Sequence, residues 1–406
     1  MDIPDSLGPS VPVIAPATAD DFAATLRRVS DERQSIVILG RGTKMGWGRP
    51  LRRVDAMLST AQLNRVLAHQ HGDLTATIEA GTTLHGVNAE LARHGQWLPL
   101  DPPFADRATI GGILATNDSG PLRHRYGTPR DLVIGVRLAT TDGALAKAGG
   151  QVVKNVAGYD LSKLVCGSFG SLAAIVSATF KLSPLPRASK TIVVEIHDVD
   201  TLARIVADVA ASQLEPIACD MRVPDVAQLF KRRDRGRDRP ALLLRFASVP
   251  AAVDAQIDQA RGMAARHHCA SSIVDGDDER RAWDAQSRRL WDSPGAIVRA
   301  SWLPANIPMA MADLKSCATP ETDMIGRAAI GSGLIRINGD VRAQAHAIDA
   351  LRHAASFRHV VIVRGSDKLK SLVDVWGPLG DRERLFASLK QALDPRGTLN
   401  AGRGPL

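Results

Sequence analysis

Cysteine is scarce in this 406-residue chain: there are four, far apart, and no two form a Cys-x-x-Cys pair. This spacing argues against a disulfide framework, and it does not supply the ligand set of a structural zinc or of an iron–sulfur cluster. We therefore expect reduced and mostly buried thiols. Any iron–sulfur centre that works with this chain would belong to another polypeptide.

Long hydrophobic runs are also absent. The longest apolar stretches, such as residues 172–180, are far shorter than the roughly 20 residues that span a bilayer. No Lys or Arg precedes Arg27, so the N-terminus lacks the basic region of a secretory signal. We expect a cytoplasmic protein, associated at most peripherally with the inner face of a membrane through partners.

Aromatic residues make up only 4% of the chain, and this low content helps to interpret its most basic segment. Residues 231–239 hold six basic and two acidic side chains, and the formal net charge of the whole chain is +8. A nucleic-acid site would interleave aromatic side chains that stack on bases, and this segment has none. We expect no nucleic-acid binding, and interpret the segment as a solvated loop suited to docking an acidic partner.

Local patterns predict an alternation of helices and strands. Residues 18–31 have a capping box and one apolar face, and residues 82–94 form a second helix that ends at Gly95. Asp142-Gly143 predicts a hairpin turn between two strands. The prolines at 184 and 186 mark a domain boundary, beyond which a new series of strands and helices begins.

The first of several glycine-centred segments is Gly40-Arg41-Gly42-Thr43-Lys44, directly after the apolar residues 36–39. Its backbone N–H groups, hydroxyl and two cations could bind a phosphate, although any glycine turn shares part of this pattern. The segment does not fit the P-loop motif. No amphipathic helix opens after it, so a Rossmann NAD site is disfavoured.

The second segment is Thr109-Ile110-Gly111-Gly112, which leads to Asn117 and Gly120. A glycine pair followed by small apolar residues is typical of a short helix whose first N–H groups face an anion. A tight turn that packs a helix on a sheet would have the same sequence. Both interpretations stay open at this stage.

Two more segments follow, at residues 154–160 and 167–172. The first contains Lys154, Gly158 and Asp160, and the second contains Gly167 and Gly170. Glycine allows the backbone to approach a ligand closely. Several such segments in one chain predict an elongated ligand lined by main chain.

In this order, the segments resemble the FAD-binding half of the vanillyl-alcohol-oxidase-like flavoproteins, the PCMH-type FAD-binding family, and in particular the smaller FAD-binding (E) subunits of bacterial glycolate oxidases. The resemblance covers residues 15–186 well, the middle poorly, and the tail 394–403 again, where Ala401 replaces the usual proline. It implies an α+β fold: a PCMH-type FAD-binding domain of two α/β subdomains (1–187), an α/β cap or substrate domain with an antiparallel sheet (188–383), and a C-terminal segment (384–406) that returns to the FAD domain.

The resemblance also implies which residues bind FAD. We expect noncovalent binding, because the first loop has no histidine to form a bond to the flavin. The expected FAD-binding residues are Gly40, Arg41, Gly42, Thr43, Lys44, Pro102, Thr109, Ile110, Gly111, Gly112, Asn117, Gly120, Gly158, Gly167, Gly170, Leu172, Ile175 and Asn400.

Three cations are candidate catalytic residues. Lys154 would stabilise negative charge on the reduced flavin, unless it is a surface lysine. Arg299 and Arg336 lie in apolar strands, where a guanidinium needs a partner: a substrate carboxylate or an internal Asp or Glu would serve equally. We expect no metal site, because His267-His268 lacks a second His/Glu pair at ligand spacing, and we interpret these as ordinary helix-end histidines.

By resemblance, the chain is the FAD-binding subunit of a glycolate oxidase complex that oxidises small anionic 2-hydroxy acids. Its expected partners are a larger catalytic FAD subunit and an iron–sulfur subunit. Two alternatives stay open: a stand-alone FAD-dependent dehydrogenase of the D-lactate type, and a redox-silent scaffold that kept the flavoprotein fold.

Overall fold

The computed structural model of the chain describes residues 11–150, 159–230, 239–317 and 322–405. Residue contacts divide the chain into two units. Unit 1 comprises Met1–Gly120, Tyr126–Leu185 and Pro378–Leu406, and unit 2 comprises Pro121–Arg125 and Pro186–Gly377. Among the described residues, no helix is long and apolar enough to cross a bilayer.

The chain up to residue 185 is a mixture of short helices and strands, with a 3₁₀ helix at Ala92–His94. In order, they are β1 (Val13–Ile14), α1 (Ala19–Asp31), β2 (Ile36–Leu39), β3 (Ala56–Ser59), β4 (Val66–Gln70), β5 (Thr75–Glu79), α2 (Leu84–Leu91), β6 (Gln96–Trp97), α3 (Ile110–Thr116), α4 (Arg123–Tyr126), α5 (Pro129–Leu132), β7 (Val133–Ala139), β8 (Leu145–Gly149), α6 (Leu161–Val165), β9 (Ala174–Lys181) and β10 (Ser183–Pro184).

Residues 186–377 alternate strands and helices, with 3₁₀ helices at Val226–Phe230 and Pro304–Asn306. Their elements are β11 (Ala188–Glu195), α7 (Val199–Ala211), β12 (Ala218–Val223), β13 (Ala241–Ser248), α8 (Pro250–Arg266), β14 (Ser271–Asp275), α9 (Gly276–Arg288), β15 (Ala296–Trp302), α10 (Ile307–Cys317), β16 (Asp323–Arg327), β17 (Ser332–Ile337), α11 (Val341–His353), β18 (Phe357–Arg364) and α12 (Asp367–Leu372). One more helix, α13 (Arg382–Leu393), belongs to unit 1.

Helix ends follow the capping residues that the sequence predicts. Thr18 accepts a hydrogen bond from the N–H of Asp21 at the start of α1, and the apolar face of this helix is buried. The second predicted helix forms as α2 and the 3₁₀ helix, and it ends at Gly95, whose φ of 65° is in the left-handed region. These local predictions are confirmed, because each depends on residues that are neighbours in sequence.

Unit 1 contains two main sheets. Strands β1, β3 and β2 form a small parallel sheet, and β4-β5-β9-β7-β8 form an antiparallel one. The C-terminal tail joins the first sheet: the N–H of Ile36 donates to the carbonyl of Thr398, and the N–H of Asn400 donates to the carbonyl of Ile36, both at 2.8 Å. Leu399 is fully buried in the core of α1 and β3.

Unit 2 is built on one eight-stranded antiparallel sheet, in the order β14-β11-β13-β12-β16-β17-β15-β18. One face packs its aliphatic side chains on α7, α8, α10 and α11. The other face of the sheet carries polar residues. Helix α9 covers part of this face, and its Glu279, Trp283 and Gln286 form hydrogen bonds with side chains there. An α+β fold whose second half has an antiparallel sheet is therefore confirmed.

Candidate cofactor-binding site

Unit 1 contains a pocket with about 680 Å³ of empty space, part of it open to solvent. The loop after β2, the first turns of α3, the loop before β9 and the C-terminal tail surround it. Its lining residues are Ile38, Gly40, Arg41, Gly42, Thr43, Lys44, Met45, Thr60, Thr109, Gly111, Gly112, Ala115, Thr116, Phe169, Gly170, Ala173, Ile175, Asn400 and Arg403. Segments from four distant parts of the sequence thus line one pocket.

Most residues expected to bind FAD lie in this lining. Those that line the pocket are Gly40, Arg41, Gly42, Thr43, Lys44, Thr109, Gly111, Gly112, Gly170, Ile175 and Asn400. Those outside the lining are Pro102, Ile110, Asn117, Gly120, Gly167 and Leu172. Gly158 falls outside the described residues.

The loop after β2 turns sharply at Gly42, whose φ is 76°. A side chain there would be strained, because L-residues rarely adopt this conformation. Gly40 is needed for a different reason: a Cβ at this position would collide with the hydroxyl of Thr109. The loop and the start of α3 therefore lie directly against each other at the pocket wall.

The two glycines at the start of α3 have different roles. A Cβ on Gly111 would lie 2.9 Å from the Cβ of Ala80, so Gly111 permits close packing on the residue that follows β5. Gly112 has more room: the nearest protein atom to its Cβ would be the Thr109 hydroxyl, at 3.2 Å. Gly111 therefore fits the interpretation of a tight packing turn, whereas Gly112 leaves space at the pocket wall.

The first two N–H groups of α3 donate to carbonyl groups of the protein. Ile110 donates to the carbonyl of Thr82 at 3.0 Å, and Gly111 donates to the carbonyl of Ala80 at 2.8 Å. The N–H of Gly112 has a long contact of 3.4 Å with the Thr109 hydroxyl. This turn therefore contributes space and close approach to the pocket, whereas its first two donors stabilise the protein itself.

The loop before β9 is held against the end of α3 and against the tail. The N–H of Gly167 donates to Leu114 and the N–H of Phe169 donates to Ala115. Phe169 and Gly170 both have positive φ, at 57° and 67°. A Cβ on Gly170 would lie 2.7 Å from Nδ2 of Asn400, so glycine is required where the tail approaches.

Cationic side chains dominate the charge of the pocket. Lys44 is buried and lies 3.3 Å from the buried carboxylate of Asp118, whereas Arg41 is exposed at the pocket edge. Arg403 is buried and donates to the backbone carbonyls of Lys44, Met45 and Trp47. Burial lowers the pKa of Arg403 to about 10, so it stays charged at neutral pH. Three cations against one carboxylate fit a pyrophosphate.

Sequence reasoning missed several lining residues. Arg403 is in the tail segment 394–403 but was not predicted as a site residue. Its contacts with Lys44 and Trp47 connect residues more than 350 positions apart. Phe169 stood between two expected glycines without being singled out. The remaining ones are small or apolar residues that carry no chemical signal of their own: Ile38, Met45, Thr60, Ala115, Thr116 and Ala173.

The cap arginines lie on the polar face of the unit 2 sheet. In the register of β15 and β17, Ile297 pairs with Arg336 and Arg299 pairs with Leu334, so the two arginines are diagonal neighbours on one face. Arg222, Arg245 and Arg327 belong to the same face. Arg336 donates to Asp323 at 2.6 Å, which is the internal partner left open above. Lys154 falls outside the described residues, as do residues 231–238 of the basic segment 231–239.

The cysteines are free thiols, and three of the four are buried. Burial raises the pKa of Cys166 and of Cys219 to about 12, which makes both poor nucleophiles. His267 lies at the end of α8 and contacts Asp208 at 2.7 Å. These observations agree with the interpretation of the cysteines as reduced, mostly buried thiols and of His267 as an ordinary helix-end histidine.

Comparison with known families finds two matching domains. Residues 11–149 match an FAD binding domain, and residues 185–310 match the C-terminal domain of FAD linked oxidases. Among solved structures, p-cresol methylhydroxylase matches with a TM-score of 0.73 at 15% identity, over 97% of this chain and 88% of that one. An alkyldihydroxyacetonephosphate synthase matches with a TM-score of 0.73 at 16% identity, over 96% and 75%. At such identities the structures show the fold alone.

Curated relatives are similar over different lengths. The glycolate oxidase subunit GlcE of Escherichia coli is 36% identical over 46% of this chain and 52% of its own length. The subunit GlcD of Bacillus subtilis is 33% identical over 50% of this chain and 43% of its own length. The chain thus spans about half the length of these two relatives. A D-2-hydroxyglutarate dehydrogenase of Xanthomonas citri is 26% identical over 96% of this chain and 88% of its own length.

Proposed function

We propose that this chain is a PCMH-type flavoprotein and the FAD-binding subunit of a glycolate-oxidase-type complex, which oxidises the CH–OH group of a small anionic 2-hydroxy acid. FAD is its cofactor. The observation that carries the proposal is the glycine-lined cationic pocket of unit 1, most of whose lining residues belong to the matched FAD binding domain. The names of the relatives, which are glycolate oxidase subunits and a 2-hydroxyglutarate dehydrogenase, support the substrate class.

Bound FAD supplies a two-electron acceptor for the hydroxy acid, and the chain supplies position and electrostatic field. Arg41, Lys44 and Arg403 place positive charge at the pocket, which suits the pyrophosphate. Ile38, Phe169 and Ile175 supply apolar surface. None of the described lining residues is His, Cys or Tyr, which supports noncovalent binding.

The polar face of the unit 2 sheet suits an anionic substrate. Arg299 and Arg336 are diagonal neighbours there, and a guanidinium binds a carboxylate with two parallel hydrogen bonds. Arg336 also pairs with Asp323, and Arg299 lies beside it on the same face as a second candidate for substrate contact. Lys154 keeps its proposed role beside the reduced flavin.

The proposed subunit role depends on how electrons would leave the flavin. Its four cysteines are isolated thiols, so an iron–sulfur relay would belong to a partner. We infer that a larger FAD subunit performs most of the hydroxy-acid oxidation. The isolated chain should then oxidise glycolate or D-lactate slowly or not at all.

A stand-alone dehydrogenase is the second candidate. It is favoured by the similarity to the D-2-hydroxyglutarate dehydrogenase, which extends over 96% of this chain rather than half of it. The two candidates differ in whether the purified chain alone turns over a 2-hydroxy acid.

Anaerobic mixing of the FAD-loaded chain with glycolate, D-lactate or D-2-hydroxyglutarate separates the candidates. Under the subunit proposal, flavin absorbance bleaches with dithionite but not with any of the hydroxy acids, and turnover appears once a larger FAD subunit and an iron–sulfur subunit are added. Rapid bleaching and turnover with a dye acceptor by the chain alone would establish the stand-alone enzyme instead. Flavin that remains oxidised with dithionite would contradict both.

The substrate contact is tested with Arg299→Met in whichever preparation is active. Loss of one guanidinium–carboxylate contact should raise KM by roughly 10-fold or more. Arg358→Met removes an exposed arginine from β18 and serves as the control. If both variants have the same KM, Arg299 does not bind the substrate.

A further inference from the structure

Three histidines of unit 1, none of which lines the pocket, come together at one place. His69 lies in β4, His71 directly follows that strand, and His94 is the last residue of the 3₁₀ helix after α2. Their ligand nitrogens all lie within 4.8 Å of one another. The rings of His71 and His94 stack with centroids 3.7 Å apart, and the ring of His69 meets that of His71 edge-on at 4.2 Å.

The local backbone explains this arrangement. His69 and His71 are two positions apart at the end of a strand, where alternate side chains point to the same side. His94 is brought to them by the turn at Gly95, after which β6 begins at Gln96. Two separate segments of the chain therefore contribute ligands to one site.

Gln96 fixes the tautomer of one histidine. Its side chain is buried, and Nε2 donates to the carbonyl oxygen of His71 at 2.9 Å. The amide oxygen of Gln96 therefore faces Nε2 of His69, 2.9 Å away, and can only accept. The proton of His69 must then lie on Nε2, which leaves the lone pair on Nδ1 for a ligand. Outer-shell partners commonly orient metal-bound histidines in this way.

We propose that His69, His71 and His94 bind one divalent transition-metal ion of the zinc, copper and nickel group. Neutral imidazole suits these ions, and three histidines with one water complete a tetrahedral site. With metal–nitrogen distances near 2.0–2.1 Å, ligand nitrogens are about 3.3 Å apart. The rings must therefore close slightly around the ion, and the exposed side chains of His71 and His94 leave room for that rotation.

The ion would have a structural role. It would connect the end of β4 to the segment between α2 and β6, and an ion that binds the folded state alone stabilises it by mass action. The proposal is independent of the hydroxy-acid chemistry, since its readouts need no turnover.

The test uses tag-free, FAD-loaded protein from which metal has been removed with a chelator. Zn²⁺ is titrated in competition with a chromophoric chelator, and the melting temperature is measured with and without Zn²⁺. Wild type should bind one equivalent tightly and melt at a higher temperature with Zn²⁺. His71→Ala and His94→Ala should each lose that equivalent and the thermal shift, while retaining their FAD.

His85→Ala is the matched control, because His85 is an exposed histidine of α2 outside the cluster. It should bind and respond like wild type. Gln96→Ala tests the positioning role and should weaken Zn²⁺ affinity by about 10–100-fold. Equal Zn²⁺ binding by wild type, His71→Ala and His94→Ala would overturn the proposal, as would a wild-type protein that binds no Zn²⁺.

Discussion

Asn400 donates a hydrogen bond from Nδ2 to the carbonyl oxygen of Phe169, 231 residues earlier in the chain. Its Oδ1 accepts from the N–H of Ile38 at 3.1 Å. One side chain thus holds the tail, the loop before β9 and strand β2 together at the pocket wall. The geometry of the pocket therefore depends on both the Nδ2 donor and the Oδ1 acceptor of Asn400.

Asn400→Asp tests that dependence. The acceptor for Ile38 is retained, but the donor to Phe169 becomes an oxygen that faces a carbonyl oxygen. A buried acceptor without its donor costs about 1–3 kcal/mol, so the Kd for FAD should rise roughly 10-fold or more. Fluorescence titration of the apoprotein with FAD measures it.

Asn88→Asp is the control for that variant. Asn88 makes the same pair of bonds, donating to the carbonyl of Leu98 at 3.2 Å and accepting from its N–H at 2.8 Å, but it does not line the pocket. Its substitution should destabilise the fold to a similar extent and leave the Kd for FAD unchanged. A similar loss of FAD affinity in both variants would show that Asn400 acts only through stability.

Gly112→Ala should impair FAD binding without disrupting the fold. The new methyl group would lie 3.2 Å from the nearest protein atom, the Thr109 hydroxyl. It would therefore occupy pocket space and require only a small adjustment of the protein. Gly86→Ala is the matched control, since Gly86 follows the cap Thr83 of α2 as Gly112 follows the cap Thr109 of α3. We expect weaker FAD binding for Gly112→Ala alone, measured by flavin content after purification. Full flavin occupancy in Gly112→Ala would mean that the ligand does not approach this turn.

Arg41→Met should weaken FAD binding in a salt-dependent way. Arg41 is exposed at the edge of the pocket, so its charge acts on the ligand through solvent and is screened by salt. We expect a several-fold rise in Kd at low ionic strength that shrinks at 0.5 M KCl. Lys147→Met removes an exposed cation of β8 and should have little effect. A salt-independent defect would point to lost packing.

The stability of unit 2 should depend on the protonation of Asp220. Burial raises the pKa of this carboxyl group to about 6, although Arg327 and the hydrogen bond from Gln286 act in the opposite direction. The folded state therefore holds the proton more tightly than the unfolded state does. The resulting stabilisation is complete below about pH 4 and is lost as the pH rises through 6.

Asp220→Asn removes this titration. The free energy of unfolding of wild type, minus that of the variant, should fall by about 2 kcal/mol between pH 4 and pH 7. Urea unfolding followed by tryptophan fluorescence measures both proteins at each pH. Asp258→Asn, which removes an exposed carboxylate, serves as the control. A difference that rises with pH would contradict the prediction.

The sequence by itself determined the local structure of this protein. Thr18 caps a helix, Gly95 ends one, and Gly42 makes the turn after β2, because capping and positive φ depend on a few neighbouring residues. Through a resemblance, the order of the glycine segments also predicted the FAD binding domain that matches residues 11–149 and most of the pocket lining.

Only the tertiary structure decided which of these residues meet. It separated Gly111, which packs on Ala80, from Gly112, which has space beside the pocket. It also paired Arg336 with Asp323. It placed Arg403 on the carbonyls of the first loop and gathered His69, His71 and His94. Such contacts join segments that are distant in the sequence, and side-chain periodicity and turn chemistry carry no information about the partner of a residue beyond its own segment.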